Sequence, residues 1–395
     1  MNFNSFDQGA DRSHDHSLKY HAGILEQDDS ILPMWIADMD FATPECVRNA
    51  LVERAQFGVF GYTAPWDEYV DAVLGWMKRR HHVELDADWL VTCPGIVPGL
   101  KIIIQALTKE NDEILILPPV YHPFHACVKD LGRTLVQSPL IEENGKYSIN
   151  FDHMEETLKT HDVKMLIFCS PHNPTGNIWA KEDLQRVCAL CRKYNVILVS
   201  DEIHMDFDPE KKHTNMLAAD PEIKDLLVLC TAPSKTFNMP GLQTSNLFIP
   251  DPAKREAIEK MMDRCGMGEP NVLGLTACQA AYEKGDEWVD ALNAYTRANQ
   301  EYGKKFFDEH VPEITMEIPE GTYLFWMDCR KLGLNDDELQ KFFMSEAKLW
   351  LDEGVKFGVE GSGYMRLNAA CPRKTLTTAL ERIEAAVKAR RENAA

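Results

Sequence analysis

Lys164–Phe168 running into Ser170-Pro171-His172-Asn173-Pro174-Thr175-Gly176, Val196–Val199 into Ser200-Asp201-Glu202-Ile203-His204, and Leu226–Cys230 into Thr231-Ala232-Pro233-Ser234-Lys235-Thr236 are three versions of one pattern. Each is a short apolar, β-prone run that stops at a polar cluster. In an open α/β sheet, ligands bind in the crevice beyond the carboxyl ends of the strands, so the three clusters are expected to converge. Asn173, Asp201 and Lys235 then become neighbours. An amine nucleophile, a carboxylate and an amide in one crevice suit a carbonyl cofactor held as a Schiff base.

Working outward, helix and strand alternate. Pro98–Thr108 has helical spacing after a Pro-Gly turn, Glu113–Leu117 reads as a buried strand, and Lys181–Tyr194 as an amphipathic helix. Repeated βα units predict an α/β fold with a mainly parallel sheet covered by helices on both faces. The last quarter differs: a long helix over Asp286–His310, a strand at Thr322–Met327, a helix over Asp336–Ala347 and a terminal helix over Lys374–Arg391. The expected division is a large domain over residues 46–286 and a smaller α+β domain made of residues 1–45 and 287–395.

Composition narrows the class. The 395-residue chain carries a formal net charge of -20, which repels a nucleic-acid backbone or an anionic membrane surface. Its eleven cysteines follow no regular framework and read as free thiols of a reducing compartment, so the cytoplasm is the expected location. Residues 1–20 are polar without the apolar core of a signal peptide, and no stretch approaches the ~18 apolar residues of a membrane span.

Lys235 lies just past a strand, where an amine can act as nucleophile and later as general base for a Cα proton. Asp201 comes one serine after the four apolar residues Val196–Val199, a costly place for a carboxylate unless a cation meets it; a pyridinium nitrogen is such a cation. Asn173 fits a turn residue by itself, and with the other two a donor to a phenolate oxygen. Pro94-Gly95 makes a tight turn, and Gly95, Ile96 and Val97 open a helix whose free N–H groups suit a phosphate. No Walker loop occurs, and Gly266-Met267-Gly268 lacks the third glycine of a dinucleotide fingerprint. Cys188-x-x-Cys191 and His122-x-x-His125 have no second ligand pair at zinc spacing, so no metal is expected.

Leu32-Pro-Met-Trp-Ile-Ala-Asp-Met-Asp-Phe41, Phe60-Gly-Tyr-Thr63, Pro118-Pro-Val-Tyr-His-Pro-Phe124, Ser200-Asp-Glu-Ile-His204 and Ser234-Lys-Thr-Phe-Asn238 resemble the pyridoxal-phosphate enzymes of fold type I, and within them the cystathionine β-lyase (C–S lyase) branch of MalY/PatB type. The likeness runs over nearly the whole chain. It implies that Lys235 binds pyridoxal 5'-phosphate, that Asp201 meets its ring nitrogen and Asn173 its phenolate oxygen, and that Tyr121 stacks on the ring. It places Gly95, Ile96, Val97 and Ser234 at the phosphate. Tyr62 matches a tyrosine that reaches the phosphate of a neighbouring subunit, implying a homodimer. Arg366 matches the arginine that grips a substrate α-carboxylate, with Trp35, Tyr121 and Asn173 beside the substrate. His204 stands where aminotransferases often carry a tyrosine, and Gln243 where a phosphate-binding arginine is common.

The resemblance implies α,β-elimination of S-substituted L-cysteines to pyruvate, ammonia and a thiol, with cystathionine or other cysteine S-conjugates as substrate. Two alternatives stand beside it. One is an aminotransferase of the same fold, since the fold does not fix the reaction. The other is a modulator that binds a transcriptional regulator, as some relatives do.

Overall fold

The computed structural model describes residues 4–12, 14–21, 23, 25 and 28–394. Its strands, in chain order, are β1 (Leu32–Pro33), β2 (Leu90–Cys93), β3 (Glu113–Ile116), β4 (Thr134–Gln137), β5 (Ile141–Glu143), β6 (Lys146–Ser148), β7 (Val163–Cys169), β8 (Ile197–Asp201), β9 (Leu227–Thr231), β10 (Ser245–Phe248), β11 (Leu324–Asp328), β12 (Leu349–Trp350), β13 (Asp352–Glu353) and β14 (Tyr364–Asn368). Seven of them form one sheet in the order β2-β10-β9-β8-β7-β3-β4. β10 runs antiparallel to both neighbours, and the other pairings are parallel. The expected mainly parallel α/β sheet is therefore present, with one reversed strand.

The three quoted runs are β7, β8 and β9, side by side. Their side chains alternate between two apolar layers: Leu166, Phe168, Leu198, Leu227 and Leu229 enter one, and Met165, Ile167, Val199, Val228 and Cys230 the other. A strand buried on both faces has no polar side to display, which is why each reads as an apolar run, broken only by the half-buried Lys164 near the start of β7. The helix Lys181–Tyr194 buries Leu184, Val187, Cys188 and Cys191 at helical spacing, and Asn195 ends it in the left-handed region at φ 54°. Both cysteines of the CxxC pair are thus core residues. Among the described residues, no group of three or more His, Cys, Asp or Glu is placed to hold a metal, and no helix is long and apolar enough to cross a membrane.

A third apolar cluster lies under the antiparallel sheet β11-β14-β13 and is capped by the helix Arg373–Ala394. The early chain joins this unit. β1 pairs with β12, Met34 enters the third cluster, and Asn368 Nδ2 donates to the carbonyls of Ile36 (2.8 Å) and Asp38 (2.6 Å). The helix expected over Asp336–Ala347 is α only to Lys341, starting at a capping box between Asn335 and Glu338. It then widens into a π turn over Phe342–Glu346.

Candidate active site

Strand register sets the site. Cys169 of β7 pairs with Asp201 of β8, which pairs in turn with Cys230 of β9, so the polar clusters that follow leave the sheet at one level. Lys235 follows β9 in a four-residue helix, Pro233–Thr236. Across the crevice, β14 presents Arg366 from the smaller sheet. Asn173, Asp201, His204, Lys235 and Arg366 line one cavity of about 300 Å³, together with Tyr121 and Trp35. That volume is at the small end for ligand sites. A larger cavity of about 520 Å³ lies elsewhere, around Arg79, Arg80 and His213, and contains none of the predicted residues.

Asp201 is buried and accepts one weak bond from the Ile203 N–H at 3.3 Å. Burial pushes its pKa up to about 7, with the Glu202 carboxylate adding to the rise and Lys235 opposing it. Lys235 is half-buried on the cavity wall, and its Nζ donates to the Ala37 carbonyl at 2.7 Å. Desolvation and then the Arg366 charge lower its pKa to about 8. Burial, reinforced by Lys235 and Arg366, lowers the His204 pKa to about 3, so its imidazole is neutral; its Nδ1 has no partner. Burial raises the Tyr121 hydroxyl pKa to about 12.

Arg366 is 2% exposed. It donates to Asn173 Oδ1 and to the Trp35 carbonyl, both at 3.0 Å, and pairs with the Asp352 carboxylate. Its guanidinium lies 4.8 Å from the Phe357 ring centroid, while Nε is buried without a partner. Trp35 stacks on Trp350 at 4.4 Å between centroids, and its Nε1 is also unpartnered.

These groups fit pyridoxal phosphate. A buried carboxylate with a single N–H donor lacks the cation that a protonated pyridine nitrogen would supply, and an amine of lowered pKa faces the same space. The unpartnered Nε of Arg366 has donor capacity left for a carboxylate.

Gly95, Ile96, Val97, Ser234 and Tyr62 do not line this cavity. Gly95, at φ 108°, starts the helix Ile96–Leu107 just beyond β2, whose carboxyl end lies at the same edge of the sheet as that of β9. Ser234 is half-buried beside Lys235, and Tyr62 is 96% exposed. Sequence reasoning missed Asp352, the partner of Arg366, and the Ala37 carbonyl. It also missed Tyr323, whose hydroxyl donates to that carbonyl at 3.1 Å.

The family model for aminotransferase class I and II matches residues 30–383. The chain is 40% identical to the cystathionine beta-lyase PatB of Bacillus subtilis, across 97% of this chain and all of the relative. Cystalysin of Treponema denticola, solved with pyridoxal 5'-phosphate, superposes with a TM-score of 0.94 at 35% identity, covering 97% of this chain and 98% of that one. A PLP-bound C–S lyase from Staphylococcus hominis, complexed with L-cycloserine, superposes with a TM-score of 0.92 at 33% identity over 98% of both chains.

Proposed function

We infer, because this chain belongs to the aminotransferase class I and II family, that its 300 Å³ cavity holds pyridoxal phosphate and eliminates the β-thiol of S-substituted L-cysteines. The single observation that carries this reading is the convergence of Lys235, Asp201, Asn173 and Arg366 on one cavity, in a chain 40% identical to a cystathionine beta-lyase. The bound cofactor supplies an electron sink that stabilises negative charge at a substrate α-carbon.

The protein residues do the rest. Asp201 offers its carboxylate to the ring nitrogen, Asn173 its amide to the phenolate oxygen, and Tyr121 its ring face. His204, held neutral, adds no charge of its own beside them. The free N–H groups at Ile96 and Val97, beside Gly95, whose own N–H donates to the Cys93 carbonyl at 2.9 Å, and the Ser234 hydroxyl are assigned to the phosphate. Arg366 takes the substrate carboxylate through its charge and its unpartnered Nε–H, with Trp35 and Tyr121 flanking the side chain. Lys235 Nζ takes the α-proton; the C–H electron pair becomes the Cα–Cβ double bond, and the C–S pair leaves with sulfur as a thiolate. Water then converts the three-carbon enamine to pyruvate and ammonia.

The active unit is proposed to be a homodimer in which Tyr62 reaches the neighbouring site. Its support is the exposed strip of Phe57, Val59, Phe60 and Tyr62, since a run of large exposed apolar side chains marks an interface. The division into residues 46–286 and residues 1–45 with 287–395 is supported by the separate apolar cluster under the smaller sheet. A cytoplasmic location is supported by eleven cysteines without a disulfide among the described residues.

The test is a visible spectrum of purified protein followed by L-cystathionine, with pyruvate read by coupled lactate dehydrogenase. A band at about 410–430 nm that Lys235→Ala abolishes, with pyruvate formed, is the expected result. A band with turnover only when a keto acid is added replaces elimination by transamination, and no band after cofactor addition overturns the reading.

A further inference from the structure

The four-residue helix that carries Lys235 has no side-chain N-cap, and one turn of helix has little stability of its own. It is held by what its neighbours grip. On one side Asn238, at φ 53°, accepts from the Met39 N–H at 2.8 Å and donates to the carbonyls of Met39 (2.9 Å) and Phe41 (2.8 Å). On the other side the Thr236 hydroxyl donates to Asp206 Oδ2 at 2.6 Å.

Asp206 is a buried hub. Its Oδ1 accepts from Trp76 Nε1 at 3.1 Å and from His81 Nε2 at 2.8 Å, and its backbone carbonyl accepts from Asn293 Nδ2 at 2.7 Å. Three elements meet there: the helix Asp67–His81, the helix Asp286–His310 and the loop that leaves Asp201. His81 and Thr236 keep the carboxylate ionised against its burial. A charged acceptor with donors on both oxygens has one orientation, and the hydroxyl bound to it has one direction.

We propose that Asp206 is a positioning residue for the elimination: through the Thr236 hydroxyl it fixes the short helix that carries Lys235, and so the place of the amine relative to the substrate α-carbon. The inference rests on the assignment of the α-proton to Lys235. It concerns a residue that does not line the cavity and touches neither substrate nor cofactor.

The experiment compares cofactor-loaded wild type, Thr236→Val, Thr236→Ser, Asp206→Asn and Lys235→Ala by kcat, KM, the pH titration of the visible band and thermal unfolding. Valine keeps the shape of Thr236 and loses its donor; serine keeps the donor. Thr236→Val is expected to lower kcat about tenfold or more with KM within about twofold, and to shift the titration of the band, since small misplacements of a reacting group have effects of that size. Thr236→Ser is expected to restore kcat to within about threefold of wild type. Wild-type kcat and titration in Thr236→Val, or a serine variant as impaired as the valine one, overturn the proposal. If Thr236→Val does not fold, Asp206→Asn decides by the same split, and failure of both to fold replaces positioning by a structural role. Pyruvate from wild type and none from Lys235→Ala secure the underlying assignment separately. Were wild type inactive in elimination, the band titration of Thr236→Val against wild type still reports positioning.

Discussion

Asp352 and Arg366 face each other directly across β13 and β14, and the carboxylate neutralises a guanidinium that is otherwise buried. The pair spends one side of the fork on Asp352 and leaves Nε without a partner. Arg366→Lys should therefore lose the planar donor set while keeping the charge. Each charge-assisted hydrogen bond lost is worth about 1.5–3 kcal/mol, so kcat/KM for an S-substituted cysteine should fall by about ten- to 150-fold. Steady-state pyruvate formation measures it, and a fall of less than about threefold is the contrary result. Asp352→Ala should act on folding as well, since it strands a buried charge at a cost of about 3–5 kcal/mol, visible in urea unfolding.

Legibility followed the chemistry of each residue. Asn173, Asp201 and Lys235 could be found because a doubly buried strand is an apolar run and its end is abrupt; β7, β8 and β9 all carry that signature. Leu349-Trp350-Leu351-Asp352 repeats the signature that singled out Asp201, an apolar run ending in a carboxylate, so Asp352 was within reach of the same reasoning. The Ala37 carbonyl was not, because a backbone acceptor leaves no trace in residue type. The Thr236–Asp206 bond joins positions thirty residues apart, and pairing at that range is fixed by packing rather than by local pattern. The π turn at Phe342–Glu346 was hidden because an amphipathic segment reads the same whether its last turn is α or π.

Tyr62 makes a second prediction. Its ring is almost wholly exposed next to Phe57, Val59 and Phe60, a patch that the proposed homodimer would bury. Sedimentation at micromolar concentration is expected to give twice the mass of the chain. Tyr62→Phe, which removes only the hydroxyl, should weaken cofactor retention by about tenfold or more if that hydroxyl meets a phosphate. A monomer of wild-type activity, or unaltered retention in Tyr62→Phe, sinks the assignment.

Lys235 predicts a pH profile for cofactor uptake by the apoprotein. Only the uncharged amine attacks a carbonyl, and desolvation holds its pKa at about 8. The uptake rate should rise about tenfold per pH unit below 8 and level off above it. Because the Arg366 charge is the second cause of the depression, Arg366→Gln should move the midpoint upward. Stopped-flow absorbance follows both, and a midpoint near the ordinary lysine value of about 10.4 contradicts the burial argument.

Asp201 carries the opposite sign. In the cofactor-free protein its folded-state pKa, raised to about 7 mainly by burial, lies above the unfolded carboxylate value of about 3.9. The folded state then binds the extra proton between those values, so stability falls as pH rises from about 4 to 7 and the penalty is complete above 7. Apoprotein Asp201→Asn should be more stable than wild-type apoprotein at pH 8, by up to about 4 kcal/mol, and equal to it near pH 4. A bound cation at the ring nitrogen reverses the balance: saturating pyridoxal phosphate should raise the wild-type unfolding midpoint at pH 8 far more than that of the Asn variant. Urea unfolding at pH 4, 6 and 8, with and without cofactor, reads all three quantities. Identical pH dependence in the two apoproteins would show that Asp201 is already compensated without the ring.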